Sequence, residues 1–359
     1  MVTVEDDGPH LRPEFIPIVR TIYTEMSNLQ PGEEVLIIAD SRTPANVVNV
    51  FFGVALSLGA SAHTLLVKTP PPPSVQTSIV WSKTIAAATT VANLIVDLSI
   101  GYASFLADAV ERGARIICVG DGTGHAHLQE TLMRTIGAVD LPTLRRETAV
   151  ISGLLTAGTT MRITSVEGTD LTIDIEGLQG ERDDGYLWDP DMAEWKSSWQ
   201  TLPPAVPGVV LPKGRANGVI AVDGFILYEP SYDHETPKTP LLLTIEDSWI
   251  TDIGGDPLTR DRLRHWLAEW DPDRSVYHGP VHANIGLNPR AMLTQHQEFE
   301  TIRGTLVFGW GDSATLARFF GAEMESVASP VHWDCSTLRP TIDIGDRRVV
   351  EDGWVQDLS

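Results

Sequence analysis

Four short runs of apolar residues alternate with stretches of helical periodicity in the first 120 residues. The runs that we interpret as buried strands are 33–40, 61–67, 93–98 and 114–120. The helices predicted between them are 44–60, a segment near 75–92 and a segment near 103–113. This alternation predicts βαβ units built around a parallel sheet. No G-x-G-x-x-G follows the first strand, so the pattern does not favour a dinucleotide site.

The pattern changes near residue 150, after which predicted strands follow one another with few helices between them. The predicted strands are two in 161–177, joined by a turn that contains glycine, and others in 218–229 and 240–255. One helix is predicted at 259–270. We therefore expect an α/β N-terminal domain with a parallel sheet over residues 1–155. An α+β, mostly antiparallel, C-terminal domain is expected over residues 156–359, with the boundary near 150–158.

One long segment, residues 178–207, shows little periodicity and is rich in Gly, Asp, Pro and Trp. A stretch of this length without regular structure inside a compact domain is usually functional or mobile. We therefore expect this loop to contribute to a site.

Composition narrows the function classes. The chain has 359 residues and a formal net charge of −22 without a basic run, which disfavours nucleic acid as a partner. The most apolar stretch, 85–110, is broken by Asn93, Asp97 and Asp108, so we expect no membrane span. Two cysteines and an acidic N-terminus without an apolar run predict a cytoplasmic protein without a disulfide framework or a signal peptide.

Candidate chemistry begins with "VHWDC", in which His332 and Asp334 lie two apart on a predicted strand. Residues i and i+2 of a strand share a face, so both side chains can reach one ion, although two polar residues at a strand edge can also simply face water. A third ligand would come from 277–291, which carries His278 and His282. Two His and one carboxylate are typical of non-haem Fe(II) oxygenases and also occur in zinc hydrolases.

Five ordered motifs give the chain a resemblance to a known superfamily. They are "MRITSVEGTDLTIDIEG", "LPPAVPGVVLPKGRANGVIAVDG", "ANIGLNPRA", "GTLVFGWGDS" and "VHWDC", and their order resembles that of the aminopeptidase T group of metallo-aminopeptidases. That group holds two metals with two Glu, two His and one Asp. At the matching positions this chain has Val209 and His282 in place of the two Glu, and Val307 in place of the first His. Only His332 and Asp334 are retained, so the two-metal peptidase site cannot form.

The remaining set of His282, His332 and Asp334 resembles that of a non-peptidase branch, the 2,5-dihydroxypyridine 5,6-dioxygenases. Those enzymes use Fe(II) and O₂ to open a dihydroxypyridine ring. The resemblance therefore implies a mononuclear non-haem iron site in the C-terminal domain. It also implies a small dihydroxylated aromatic substrate. The branch carries an acid–base histidine after the strand that matches 93–98, where this chain offers only Tyr102 as a polar candidate.

The resemblance also suggests roles for other residues. Trp195 and Trp199 are expected to stack on a flat heteroaromatic ring, although packing of a long loop explains tryptophans equally well. Arg290 or Arg339 could anchor a carboxylate or an oxyanion of the substrate. Relatives assemble, so a homo-oligomer is expected. Two alternatives stay open. The first is a hydrolase with Zn or Mn in the same triad, acting on an aromatic amine or amide or in the manner of an aminopeptidase. The second is a metal-free binding protein.

Overall fold

The computed structural model of the protein describes residues 12–68, 82–119, 127–227, 234–270, 274–293, 296–320 and 325–358. Residues 75–81 of the helix predicted near 75–92 lie outside these ranges, as do the last two residues of the strand predicted at 218–229.

The first half of the described chain contains the predicted alternation of strands and helices. Its strands are β1 (Glu34–Asp40), β2 (Ser61–Val67), β3 (Leu94–Asp97) and β4 (Arg115–Cys118). Its helices are α1 (Phe15–Thr21), α2 (Ala45–Ser57), α3 (Lys83–Ala88), α4 (Ser104–Glu111), α5 (Leu128–Thr135) and α6 (Leu141–Ala157), with a π-helical turn at Ile22–Met26.

The second half is dominated by strands. They are β5 (Thr160–Thr164), β6 (Asp170–Asp174), β7 (Gly180–Glu181), β8 (Trp188–Asp189), β9 (Glu194–Trp195), β10 (Trp199–Thr201), β11 (Gly208–Val210), β12 (Ala216–Val222), β13 (Ile226–Leu227), β14 (His234–Glu235), β15 (Leu241–Glu246), β16 (Trp249–Gly255), β17 (His282–Ile285), β18 (Leu306–Gly311), β19 (His332–Thr337), β20 (Thr341–Ile344), β21 (Arg347–Glu351) and β22 (Trp354–Val355). Its helices are α7 (Pro257–Trp270), α8 (His296–Glu300) and α9 (Ala314–Phe320), with a 3₁₀ turn at Ser275–Tyr277.

The first sheet is parallel, with the strand order β10-β4-β3-β1-β2. Alternate residues of β1 pack into separate apolar clusters: Val35 and Ile37 on one face, Leu36 and Ile38 on the other. Burial on both faces explains why the strand is a continuous apolar run without alternation. The outer strand β10 comes from the 178–207 segment, and its Trp199 pairs with Ile116.

Two antiparallel sheets contain most of the remaining strands, and β8 and β9 form a separate antiparallel pair. Their strand orders are β14-β13-β19-β18-β17-β11-β7 and β16-β15-β12-β6-β5-β20-β21-β22. In β5 and β6 the apolar residues Met161, Ile163, Leu171 and Ile173 alternate with more exposed residues and enter the largest apolar cluster. This alternation is the pattern of a sheet with one buried face.

The predicted fold class, α/β with a parallel sheet followed by a mostly antiparallel α+β part, is confirmed. The division between residues 155 and 156 stays a prediction; α6 runs through the expected boundary, and β10 pairs with the first sheet. Among the described residues, no helix has both the length and the apolar character needed to cross a bilayer.

Candidate metal centre

Three neighbouring strands, β17, β18 and β19, carry the candidate site. His282 opens β17 and pairs with Gly309 of β18, which in turn pairs with Asp334 of β19. His332 opens β19, two residues before Asp334, and the two side chains share a face as the strand period requires. The predicted third histidine thus lies in the same row as Asp334, one strand further across the sheet.

The three side chains converge on one point. Nε2 of His282 lies 3.2 Å from Nε2 of His332 and 3.2 Å from Oδ1 of Asp334. Nε2 of His332 lies 3.5 Å from the same oxygen, and the imidazole rings stack with centroids 5.2 Å apart. Asp334 and His282 are buried, and His332 is partly exposed. Two nitrogens and one carboxylate oxygen within 4.8 Å of one another form a donor set that suits a single metal ion.

The imidazole of His282 crosses over β18 to reach β19. A Cβ atom at position 309 would lie 2.8 Å from Cε1 of His282 and closer still to its Nε2 and Cδ2. Real Cβ atoms essentially never come this close to another heavy atom. The bare backbone of Gly309 therefore forms a cradle for the ring, and the local geometry fits a histidine ligand at 282.

Hydrogen bonding fixes which nitrogen of His332 faces the cluster. Its Nδ1 donates to the backbone carbonyl of Asp312 at 3.0 Å, which leaves the Nε2 lone pair free to bind a cation. Burial alone would lower the pKa of His332. The pKa is nevertheless raised above its ordinary value, because the charge and hydrogen bond of Asp334 and the carbonyl of Asp312 favour the protonated ring. For His282, burial outweighs Asp334 and lowers the pKa. A neutral His282 is in the form that coordinates metals.

Tyr102, the predicted acid–base residue, follows the carboxyl end of β3. The carboxylate of Asp97 accepts hydrogen bonds from the backbone N–H groups of Ser99, Ile100 and Gly101, at 3.1, 2.9 and 2.6 Å, and so fixes the loop that presents Tyr102. The pKa of Tyr102 is raised well above its ordinary value, first by burial and then by the charges of Glu300, Cys118, Asp183 and Asp334. The hydroxyl therefore keeps its proton at neutral pH, and the charge of Asp334 reaches it.

Trp199 and Trp195 lie in different places. Trp199 is buried and packs against Tyr102 and Phe319, with ring centroids at 5.3 and 4.2 Å. Trp195 is 47% exposed and lies under the guanidinium of Arg115, at 4.3 Å, at the amino end of β4. Tyr102 lies at the carboxyl end of the same sheet, so the structure brings Trp199, and not Trp195, beside it.

The two arginines that were expected to anchor substrate both lie on the surface. Arg290 is exposed, and its backbone carbonyl accepts a hydrogen bond from Nε of Arg134 at 2.8 Å. Arg339 is 59% exposed and pairs with Glu167 at 2.7 Å. Neither side chain contacts the triad among the described residues.

The sequence reasoning missed three residues around the site. Gly309 and Asp312 both lie in the quoted motif "GTLVFGWGDS", so the motif itself was an available signal. Glu300, at the end of α8, had no signal, because no motif includes it. Burial, followed by the charges of Asp334 and Asp183, raises the pKa of Glu300 well above its ordinary value.

Comparison with known proteins identifies a family and two solved structures with a similar fold. The profile of the NicX family, described as 2,5-dihydroxypyridine 5,6-dioxygenase, matches residues 18–357. A solved structure of 2,5-dihydroxypyridine dioxygenase from Pseudomonas putida KT2440 has a TM-score of 0.76 and 19% identity, covering 97% of this chain and 98% of that one. Wild-type AmpT from Thermus thermophilus has a TM-score of 0.61 and 13% identity, covering 95% and 98%. No curated protein sequence matches the chain. At these identities the two solved structures show a shared fold.

Proposed function

The chain belongs to the 2,5-dihydroxypyridine 5,6-dioxygenase family, and on this premise we propose that it is a mononuclear Fe(II) enzyme that opens a dihydroxylated heteroaromatic ring with O₂. The family makes the chain an oxidoreductase of the ring-cleaving dioxygenase class. The iron, and 2,5-dihydroxypyridine as the substrate, are the parts that we propose. Cytoplasmic location and assembly as a homo-oligomer stay predictions from the sequence.

One observation carries the proposal: the convergence of His282, His332 and Asp334 in a single donor set, of which only His332 is partly exposed. Two histidines and one carboxylate on one face of an octahedral ion leave three positions open, which is the arrangement of non-haem Fe(II) oxygenases. The resemblance to the two-metal peptidases implies that a second ion would need donors at positions 209 and 307, and this chain has valine at both. Bound iron would supply a Lewis-acidic, redox-active centre that lowers the pKa of a ring hydroxyl.

The chain's own residues account for the remaining requirements. Tyr102 keeps its proton because of burial and the surrounding carboxyls, so it can donate a proton or a hydrogen bond to an oxygen on the opening ring. Trp199 and Phe319 are buried against each other and against the ring of Tyr102, so they exclude water from that side of Tyr102. The loop that Asp97 fixes holds Tyr102 in position. Tyr102 thus takes the place at which the resemblance leads us to expect an acid–base histidine.

The direct test is oxygen consumption by protein purified without air and loaded with Fe(II). We expect uptake of O₂ with 2,5-dihydroxypyridine or a related dihydroxylated heteroaromatic, and one iron bound per chain. His282→Ala should lose both the iron and the uptake, whereas His265→Ala, which changes an exposed histidine of α7, should retain both. No uptake with any such compound, together with hydrolysis of an aromatic amide under Zn or Mn, would favour the hydrolase and refute the oxygenase.

A further inference from the structure

Helix α9 (Ala314–Phe320) connects the candidate metal centre with the first half of the chain. It follows β18, the middle strand of the centre, and it packs on α4 beside the parallel sheet. The helix has 7 residues and is therefore about 10 Å long. An isolated helix this short is marginal in water, so the position of α9 depends on the contacts at its two ends.

The amino end of α9 is fixed to the candidate ligand His332 by Asp312, which precedes the helix by two residues. The backbone carbonyl of Asp312 accepts a hydrogen bond from Nδ1 of His332 at 3.0 Å. Its carboxylate accepts hydrogen bonds from the backbone N–H of Thr315, in the first turn of α9, and from that of Ser329, each at 3.2 Å. One residue thus holds both the imidazole of His332 and the first turn of the helix.

The carboxyl end of α9 holds the ring of Tyr102 through Phe319, which is 6% exposed. The two rings meet edge to face, with centroids 5.4 Å apart and an interplanar angle of 79°. Trp199 of β10 contacts both rings, at 5.3 Å from Tyr102 and 4.2 Å from Phe319. Two aromatic side chains from different segments therefore restrict the ring of Tyr102, and Phe319 is the one that belongs to the helix adjoining the metal centre.

Arg318, the neighbour of Phe319, joins α9 to α4. Its Nη2 donates to Oδ1 of Asp108 at 2.6 Å and to Oε1 of Glu111 at 2.9 Å, and its Nε donates to the same oxygen of Glu111 at 3.1 Å. Asp108 and Glu111 are three apart on α4 and lie on one face of that helix. Because α4 begins at Ser104, two residues after Tyr102, Arg318 holds α9 against the helix whose amino end carries Tyr102.

These contacts form a continuous chain from His332 through α9 to Tyr102. We propose that α9 sets the position of Tyr102 relative to His332, with Phe319 and Arg318 as positioning residues for the ring-opening reaction. This inference rests on the proposed function, in which Tyr102 serves an oxygen of the opening ring. Such a donor must come within about 2.6–3.2 Å of its acceptor, and a displacement of about 1 Å can cost about 100-fold in rate.

Phe319→Leu tests the hold on the ring, because it keeps an apolar side chain and removes the aromatic contact. We expect kcat to fall about 10-fold, with KM and iron content unchanged, since Phe319 acts through Tyr102. In a Tyr102→Phe background the same substitution should cause no further loss, because no hydroxyl is left to position. Phe51→Leu, which removes a buried ring from the opposite face of the parallel sheet, should leave kcat unchanged. An equal loss with and without the hydroxyl of Tyr102 would refute the positioning role of Phe319.

Arg318→Met tests the attachment of α9 to α4. The ion pairs of Arg318 are partly exposed, so the expected loss of kcat is smaller, about 2- to 5-fold. Arg318→Lys, which keeps the charge, should restore most of kcat. Arg264→Met is the matched control, because it removes an exposed ion pair with Asp252 at a place remote from α9, and it should leave kcat unchanged. A loss in Arg264→Met equal to that in Arg318→Met would refute the role of Arg318.

A measurement without iron or substrate keeps this inference separate from the proposed function. The flip rate of the Tyr102 ring can be followed by NMR on protein with ¹³C-labelled tyrosine, with Tyr102→Phe to assign the signal. Phe319→Leu should raise this rate about 2- to 10-fold, the effect of one lost aromatic contact, and Phe51→Leu should leave it unchanged. If no compound drives O₂ uptake in the unaltered protein, the proposed function fails, and an unchanged flip rate in Phe319→Leu then refutes the hold of α9 on Tyr102. In protein that takes up O₂, an unchanged kcat in Phe319→Leu, or loss of its iron, refutes the positioning role.

Discussion

The imidazole of His282 occupies the space in which the side chain of residue 309 would lie, and Gly309 has none. Because β18 separates β17 from β19, a ligand on β17 reaches Asp334 only by crossing β18. The absence of a side chain at 309 is therefore a condition for bringing the three donors together.

Gly309→Ala should abolish metal binding while leaving the fold intact. The new methyl group would meet Cε1 of His282 at 2.8 Å and force the ring away from its partners. Iron content after loading should fall from one per chain to near zero, with circular dichroism unchanged. Gly153→Ala is the matched control, because a Cβ there meets nothing within 4 Å in the middle of α6. Full iron content in Gly309→Ala would show that His282 is not a ligand.

Metal binding should also stabilise the protein, since a pre-arranged donor set exists in the folded chain alone. At a free metal concentration 100 times Kd, the free energy of unfolding should rise by about 2.7 kcal/mol. Thermal unfolding with and without a chelator measures this difference. The chelator should lower the Tm of the unaltered protein and leave that of His282→Ala unchanged. An equal decrease in both proteins would place the stabilising ion elsewhere.

Local patterns were enough to predict the elements that depend on local burial. The run 33–40 became β1 (Glu34–Asp40) because a strand covered on both faces is apolar at every position. The spacing of His332 and Asp334 predicted their shared face, because that depends only on the strand period.

Features that depend on contacts between distant segments were not visible in the sequence. The three residues of β10 carry no periodicity, and their pairing with β4, about 80 positions earlier, makes them a strand. The crossing of His282 over Gly309 depends on the register of three strands. Trp195 and Trp199 differ by four positions, yet one contacts Arg115 and the other Tyr102, because Trp195 belongs to β9 and Trp199 to β10, which are in different sheets.

Acid should destabilise the protein through His278. Its ring is fully buried against Trp249, with centroids 5.2 Å apart, and burial, aided by the charge of Lys213 and opposed by a hydrogen bond to Gly311, lowers the pKa of His278 to about 4. In the unfolded chain His278 has its ordinary pKa of 6.5 and so binds a proton more tightly than in the folded protein. The contribution of the neutral ring to the free energy of unfolding is therefore complete above pH 6.5 and is lost as the pH falls toward 4.

The free energy of unfolding measured with urea should therefore be about 2 kcal/mol higher at pH 7.5 than at pH 5 because of His278 alone. His278→Gln should remove that part of the difference, whereas His265→Gln, at an exposed position of α7, should leave it unchanged. The same pH dependence in His278→Gln as in the unaltered protein would assign the acid sensitivity to other groups.

The two tryptophans first considered for substrate stacking should behave differently. Trp199→Phe weakens the aromatic packing that holds the ring of Tyr102, so kcat/KM for the aromatic substrate should fall about 2- to 10-fold, corresponding to ~0.5–1.5 kcal/mol for one aromatic contact. Iron content should stay the same, because no candidate ligand contacts this ring among the described residues. Trp195→Phe alters a partly exposed ring under Arg115 and should leave kcat/KM within about 2-fold, since no stacking on substrate is lost. Steady-state kinetics on both variants decide the assignment. A larger loss in Trp195→Phe than in Trp199→Phe would mean that the substrate binds beside Trp195, at the amino-terminal edge of the parallel sheet.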